Sequence, residues 1–281
     1  MKPGRFILSA VFCSLMLLCV YDRAPAQLLV DESSYDFVGS PAATPFVREQ
    51  MRFTRVREAR NNAEHAIRRL YRERRIKYPA AEVYLRVFKT ERTLEVWVRP
   101  ENRDQFELLT AYRICALAGG VGPKRREGDE QVPEGFYNID MFNPSSSYHL
   151  SLRINYPNAR DQAANSRAED LGGDIFIHGG CRSEGCLAIT DDGIDELYWI
   201  ALTARAAGQQ QIPVHIFPAR FGPSWDARPR KGLTHFDVNV MSFWKSLKPG
   251  YYYFEQHRRV PVMTVDARGR YHLSETLSAQ R

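Results

Sequence analysis

The sequence predicts a mainly β domain with some helices, and three observations carry that prediction. Short runs of alternating apolar residues recur from Val83 onward, Gly/Pro-rich turns separate them, and only three stretches repeat their apolar residues at helical spacing. The chain has 281 residues, of which 44% are hydrophobic, enough for one compact domain with extensions or two small ones. At 26% charged residues it does not read as disordered.

Taken in order, the elements are these. From Glu49 to about Lys77, Phe53, Val56, Ala63, Ile67 and Leu70 recur at three- and four-residue steps, and Pro79 follows, so one helix is predicted. Val83, Leu85 and Val87 alternate with polar neighbours, as do Leu94, Val96 and Val98, and Lys89-Thr90-Glu91-Arg92 between them predicts a hairpin. Phe106 to Cys115 is a third strand, and Gly119-Gly120-Val121-Gly122-Pro123 a loop. Strands are expected at Gly135 to Ile139, His149 to Ile154 and Asp174 to His178. Thr190, Asp191 and Asp192 then start a helix as cap and first-turn acids, Ile194, Leu197, Tyr198, Ala201 and Leu202 form its buried stripe, and Gly208 closes it. Ile212 to Phe217 is a strand, Phe236 to Leu247 a helix, and Val262 to Leu273 a hairpin turning at Ala267-Arg268-Gly269.

The N-terminus reads as a secretory signal. Lys2 and Arg5 precede the short apolar run Phe6 to Val20, and Ala24-Pro25-Ala26 offers small residues for cleavage before Gln27. An uncleaved anchor is the alternative. The expected divisions are a signal over 1–26, a linker and helix over 27–79, a catalytic domain over 80–220 and a C-terminal extension over 221–281. The net charge of +6 is concentrated between Arg52 and Lys77, where a solvated helix face is the plain reading and an anionic surface the other. No nucleic-acid motif is present, and no second apolar stretch predicts a membrane span after cleavage.

Beyond the signal, three cysteines remain: Cys115, Cys181 and Cys186. An odd number in an exported chain leaves a thiol unpaired or paired with another chain. The stretch Ile177-His178-Gly179-Gly180-Cys181-Arg182-Ser183-Glu184-Gly185-Cys186 brings His178 on a strand, then a glycine-rich loop, then Cys186 ahead of a capped helix. A thiol needs a nearby base near neutral pH, and an imidazole partner lowers its pKa. A helix N-terminus favours the thiolate, and backbone N–H groups around Gly185 and Leu187, with Gly179 and Ser183 in the same loop, are candidates to hold an oxyanion. A zinc site is the first rival, although the spacing lacks a two-residue Cys pair. A Cys181–Cys186 or Cys115–Cys181 disulfide is the second, and the latter leaves Cys186 free for catalysis.

The same stretch resembles the active-site motif of the YkuD-type L,D-transpeptidases: His178-Gly179 and Ser183-Glu184-Gly185-Cys186 match its two parts. It is most similar to the YafK-like branch, which Gly122-Pro123-Lys124, Pro133-Glu134-Gly135-Phe136-Tyr137, Asn143 to Leu150, Phe243-Trp244-Lys245 and Lys248-Pro249-Gly250-Tyr251 also resemble. The resemblance covers roughly residues 80 to 275. It implies a YkuD-like β-sandwich with a mixed sheet, an N-terminal helical extension and a helix after the catalytic Cys. It implies acyl transfer at meso-diaminopimelate, with Cys186 as nucleophile and His178 as base, and no metal or organic cofactor. Glu184 departs from the family, which has a second His there, and its default reading is a solvated loop residue. Tyr148 and His149, at a loop-to-strand boundary, and Arg126 and Glu134, in a charged glycine-rich segment, are candidates for substrate binding. The partners implied are peptidoglycan stem peptides in the periplasm, with a peptidoglycan-linked lipoprotein as a further candidate. Hydrolysis of the same bonds and a non-catalytic wall-binding module are the alternatives.

Overall fold

The computed structural model describes residues 1, 44–165, 170–226 and 238–274. The expected signal and most of the linker lie outside the described residues.

Two helices come first, α1 (Pro45–Gln50) and α2 (Thr54–Glu73). Thr44 caps α1 with its hydroxyl, and Pro45 takes the first helical position, where its missing N–H costs nothing. The single helix expected over 49–77 is thus broken at Met51–Phe53, and α2 buries Val56, Ala59, Ala63, Ile67 and Tyr71. The strands are β1 (Glu82–Phe88), β2 (Thr93–Arg99), β3 (Glu107–Arg113), β4 (Ala116–Leu117), β5 (Gly135–Asn143), β6 (Ser151–Ile154), β7 (Phe176–His178), β8 (Leu187–Ala188) and β9 (Ile212–Phe217). They hydrogen-bond into one mixed sheet in the order β3-β2-β1-β9-β5-β6-β7-β8-β4. The mixed, mainly β character, with helices before the sheet and after Cys186, is as the sequence predicts. Only β1 with β9 and β7 with β8 pair in parallel.

Period-two alternation sorts the side chains. Val83, Leu85, Val87, Leu152, Ile177, Leu187, Val214 and Ile216 face one side, where α2 and α4 (Asp191–Ala206) complete the main core. Tyr84, Phe88 and Phe217 face the other, where α6 (Val238–His257) packs Trp244, Leu247, Tyr251 and Phe254 against them. Arg86 is wholly buried on that second side, paired with Glu255 and surrounded by the rings of Phe88, Tyr251 and Phe254. Helix α6 runs past the expected end at Leu247 and contains Pro249, because burial of Tyr251 and Phe254 on the next turns offsets the one backbone bond the proline removes. Four short elements escape the sequence reading: β4, β8, α3 (Ala159–Ala164) and α5 (Pro223–Asp226). The chain closes with the hairpin of β10 (Met263–Val265) and β11 (Tyr271–Leu273), where expected. Among the described residues, no helix is long and apolar enough to cross a membrane.

Candidate active site

Strands β7 and β8 place the two central residues. Ile177 pairs with Leu187, and His178 with Ala188, in parallel register. Ile177 and Leu187 point into the main core, so Phe176, His178, Cys186 and Ala188 belong to the opposite face. At this end of the sheet that face opens into a groove of about 320 Å³, lined by both His178 and Cys186. Its walls come from Asn143 at the end of β5, from Ser146, Ser147 and Tyr148 in the following loop, from Ser151 on β6 and from Asp174 and Phe176. Arg182, Ser183 and Glu184 form the rim.

The imidazole of His178 is nearly buried, and its Nδ1 lies 2.6 Å from the carbonyl oxygen of Gly179. A carbonyl only accepts, so Nδ1 carries the proton and Nε2 keeps its lone pair. The Tyr148 ring lies over this imidazole with centroids 4.7 Å apart. Burial lowers the His178 pKa below the ordinary imidazole value, and the Gly179 bond opposes this only in part. Cys186 is a free thiol. Its Sγ accepts from the Phe176 N–H at 3.4 Å and donates to the Asp174 carbonyl at 3.6 Å. Burial raises its pKa, against smaller lowering by the Phe176 N–H and Lys124. Burial thus acts against the lowered thiol pKa expected from an imidazole partner and favours the neutral form of each group.

The helix after Cys186 begins where the sequence predicts it, but it does not follow the cysteine directly. Strand β8 intervenes, and α4 begins at Asp191 with Thr190 as its cap, so the helix N-terminus does not support the sulfur. Asp191 instead accepts the Gly180 N–H at 2.7 Å and so holds the glycine loop. The Ser183 hydroxyl closes the turn before Cys186: it accepts from the N–H groups of Gly185 and Cys186 and donates to the Cys186 carbonyl at 2.6 Å. Gly179 N–H is taken by the carbonyls of Tyr148 and Leu150, which removes it as an oxyanion donor. The Leu187 side chain lies in the core, away from the groove.

Of the residues considered for substrate binding, Tyr148 lines the groove. His149 does not: its Nε2 meets Asp195 of α4 at 2.6 Å, and Asn62 of α2 donates to the same carboxylate. Arg126 is exposed on a turn that Asp129 organises by accepting from the N–H groups of Arg125 and Arg126 and from Lys124. Glu134 is wholly buried. It pairs with Lys89 at 3.1 Å and accepts from Gly122 N–H and Trp244 Nε1, so its carboxylate is engaged within the fold and does not line the groove. Its place was not legible because the cation it neutralises stands at the end of β1. Glu184 is exposed at the groove rim. Phe176, Asp174 and Ser151 were missed; the period-two step back from His178 points to Phe176, and nothing local marks the other two.

Cys115 and Cys181 form a disulfide, tying the segment before β4 to the loop that follows His178. Among the described residues, no cluster of three or more His, Cys, Asp or Glu side chains stands ready for a metal ion.

Comparison with known proteins bears on the whole arrangement. The model of the YkuD family, the L,D-transpeptidase catalytic domain, matches residues 82–216. YafK of Escherichia coli strain K12, to which an L,D-transpeptidase activity is provisionally assigned, is 41% identical over 198 residues, 70% of this chain and 75% of that protein. Among solved structures, the helical cell shape determining protein Pgp2 from Campylobacter jejuni aligns with a TM-score of 0.40 and 17% identity over 66% of this chain and 73% of that one. Bd1075 of Bdellovibrio bacteriovorus aligns with a TM-score of 0.36 and 26% identity over 51% and 50% of the respective chains.

Proposed function

The chain belongs to the YkuD-type L,D-transpeptidase family, and on that premise we propose that it is an exported cysteine acyltransferase that modifies peptidoglycan at meso-diaminopimelate through a thioacyl intermediate. One observation carries the reading: a free thiol and an imidazole with an available Nε2 lie on one face of adjacent strands and line one groove.

In this reading Cys186 Sγ attacks the carbonyl at the L-centre of meso-diaminopimelate while its proton passes to His178 Nε2. The bond from that carbonyl carbon to the leaving nitrogen breaks, and the imidazolium returns the proton to that nitrogen. A second stem peptide then offers an amine, His178 takes the proton as the new amide forms, and Sγ leaves to recover it. Beginning from neutral partners, the thiol is deprotonated only as the C–S bond forms. The N–H groups of Gly185 and Cys186 are the donors proposed for the oxyanion, exchanging the Ser183 hydroxyl for it by rotation of that side chain. Tyr148 holds the imidazole plane by stacking on it.

Mass spectrometry of muropeptides incubated with the protein tests this. The expected product is a cross-linked species absent with Cys186→Ala. Products of hydrolysis alone, equally dependent on Cys186, would assign the amidase reading instead, including release of a peptidoglycan-linked lipoprotein. No change in the muropeptides would contradict both.

A further inference from the structure

A second cavity, of about 470 Å³, lies between α3, the start of α6 and the β10–β11 hairpin. Four arginines line it, Arg125, Arg160, Arg268 and Arg270, the last held by Asp266 at 2.8 Å, and no Asp or Glu lines it among the described residues. Arg160 is 94% buried, at a relative exposure of 6%. Its guanidinium carbon lies 3.7 Å from the centre of the Phe243 ring, and its Nε donates to the Gly269 carbonyl at 3.2 Å. Its Nη1 is buried without a hydrogen-bond partner. Asp161 stands 3.5 Å from that nitrogen, but its carboxylate already accepts from Tyr137 Oη and from the Asn158 N–H. A guanidinium whose plane is fixed by an aromatic ring suits an acceptor with two coplanar oxygens.

The 119–134 segment borders both the cavity and the loop before Cys186. Arg125 lines the cavity. Lys124, the residue before it, is near enough to Cys186 to act on its charge, and a Cβ placed on Gly185 would stand 3.7 Å from the Gln131 carbonyl. We propose that the arginine-lined cavity is a carboxylate-binding subsite for a peptidoglycan stem peptide, separate from the groove at Cys186. The identity of the ligand rests on the function proposed above; the chemistry of the cavity does not.

The test titrates the full-length protein with the tripeptide L-alanyl-γ-D-glutamyl-meso-diaminopimelate and with the same tripeptide carrying carboxamides in place of its carboxylates. Arg268→Ala, at an exposed position, and Arg160→Gln are the variants. The expected result is about tenfold weaker binding for the amidated peptide and for Arg268→Ala, a larger loss for Arg160→Gln, and for Arg268→Ala a raised KM for muropeptides with kcat unchanged. If Arg160→Gln does not fold, Arg268→Ala with the amidated peptide decides alone. Tripeptide affinity insensitive to both Arg268 and amidation would overturn the proposal. So would Arg268-dependent binding confined to inorganic phosphate or to vesicles of anionic phospholipid. Arg268-dependent binding of the acid tripeptide by a protein that turns over no muropeptide would sink the function above and leave the subsite standing.

Discussion

His178 and Cys186 share a face of the sheet because β7 and β8 run parallel with His178 opposite Ala188, one two-residue step beyond Cys186. Both groups are desolvated there, and burial moves their pKa values apart in the direction that keeps each neutral. His178 lies below its ordinary 6.5 and the thiol above its ordinary 9.0. Alkylation of Cys186 by iodoacetamide is accordingly expected to be slow at pH 7 and to rise with a midpoint above 9.0. A midpoint near 7 or below would show a preformed thiolate–imidazolium pair.

The sign of the linkage follows. A histidine held below its unfolded value destabilises the fold as pH drops from 6.5 toward the folded pKa, because the unfolded chain takes up the proton first. A thiol held above 9.0 does the same as pH rises past that value. Denaturation of His178→Gln against pH should show a shallower acid-side decline than the parent protein; identical profiles would mean that His178 is not neutralised by burial.

Arg55 of α2 donates from Nη1 to the carbonyls of Ser146 and His149, at 2.5 and 2.8 Å, and so fastens the loop that carries Tyr148 over His178. Arg55 lies outside the segment matched by the family model. Arg55→Met is expected to lower kcat/KM about tenfold with little change in global stability, by freeing Tyr148. Unchanged kinetics would show that the loop holds its position without α2.

Gly179 has no room for a side chain. A Cβ there would stand 2.5 Å from Asp191 Oδ1 and 2.9 Å from the Tyr148 carbonyl. Gly179→Ala should cost about 1–3 kcal/mol of stability and remove activity by pushing the Tyr148 loop off the imidazole, measured by thermal denaturation and turnover together. A variant with parental stability and turnover would refute this packing.

Much of the fold is legible because each face of the sheet has its own core. Val83, Leu85 and Val87 on one face and Val214 and Ile216 beside them write a period of two that no helix produces. What escaped was short or held from a distance. Strand β8 is two residues long, below any periodic signal, and it fills the interval between Cys186 and the start of α4. Helix α3 announces itself only by a capping box of Asn158 and Asp161. That Cys186 and His178 line one groove was readable because both lie on one short stretch. Glu134 was misread because Lys89, which it neutralises at 3.1 Å, is remote in sequence.

That buried pair carries its own test. Glu134→Gln leaves the Lys89 ammonium buried without its counter-charge and should destabilise the protein by about 3–5 kcal/mol in chemical denaturation. Lys89→Met with Glu134→Gln together should recover part of that loss. A mild effect of the single substitution would mean that Glu134 does not serve the fold.

The central claim is that Cys186 forms the acyl bond. Intact-protein mass spectrometry after brief mixing with a tetrapeptide muropeptide, followed by acid quench and peptide mapping, measures it directly. The account predicts a mass increase equal to the acyl portion of the peptide, located on Cys186, abolished in Cys186→Ala and slowed at least a hundredfold in His178→Ala. Muropeptide turnover in the Cys186→Ala variant, or an acyl adduct on another residue, would contradict it.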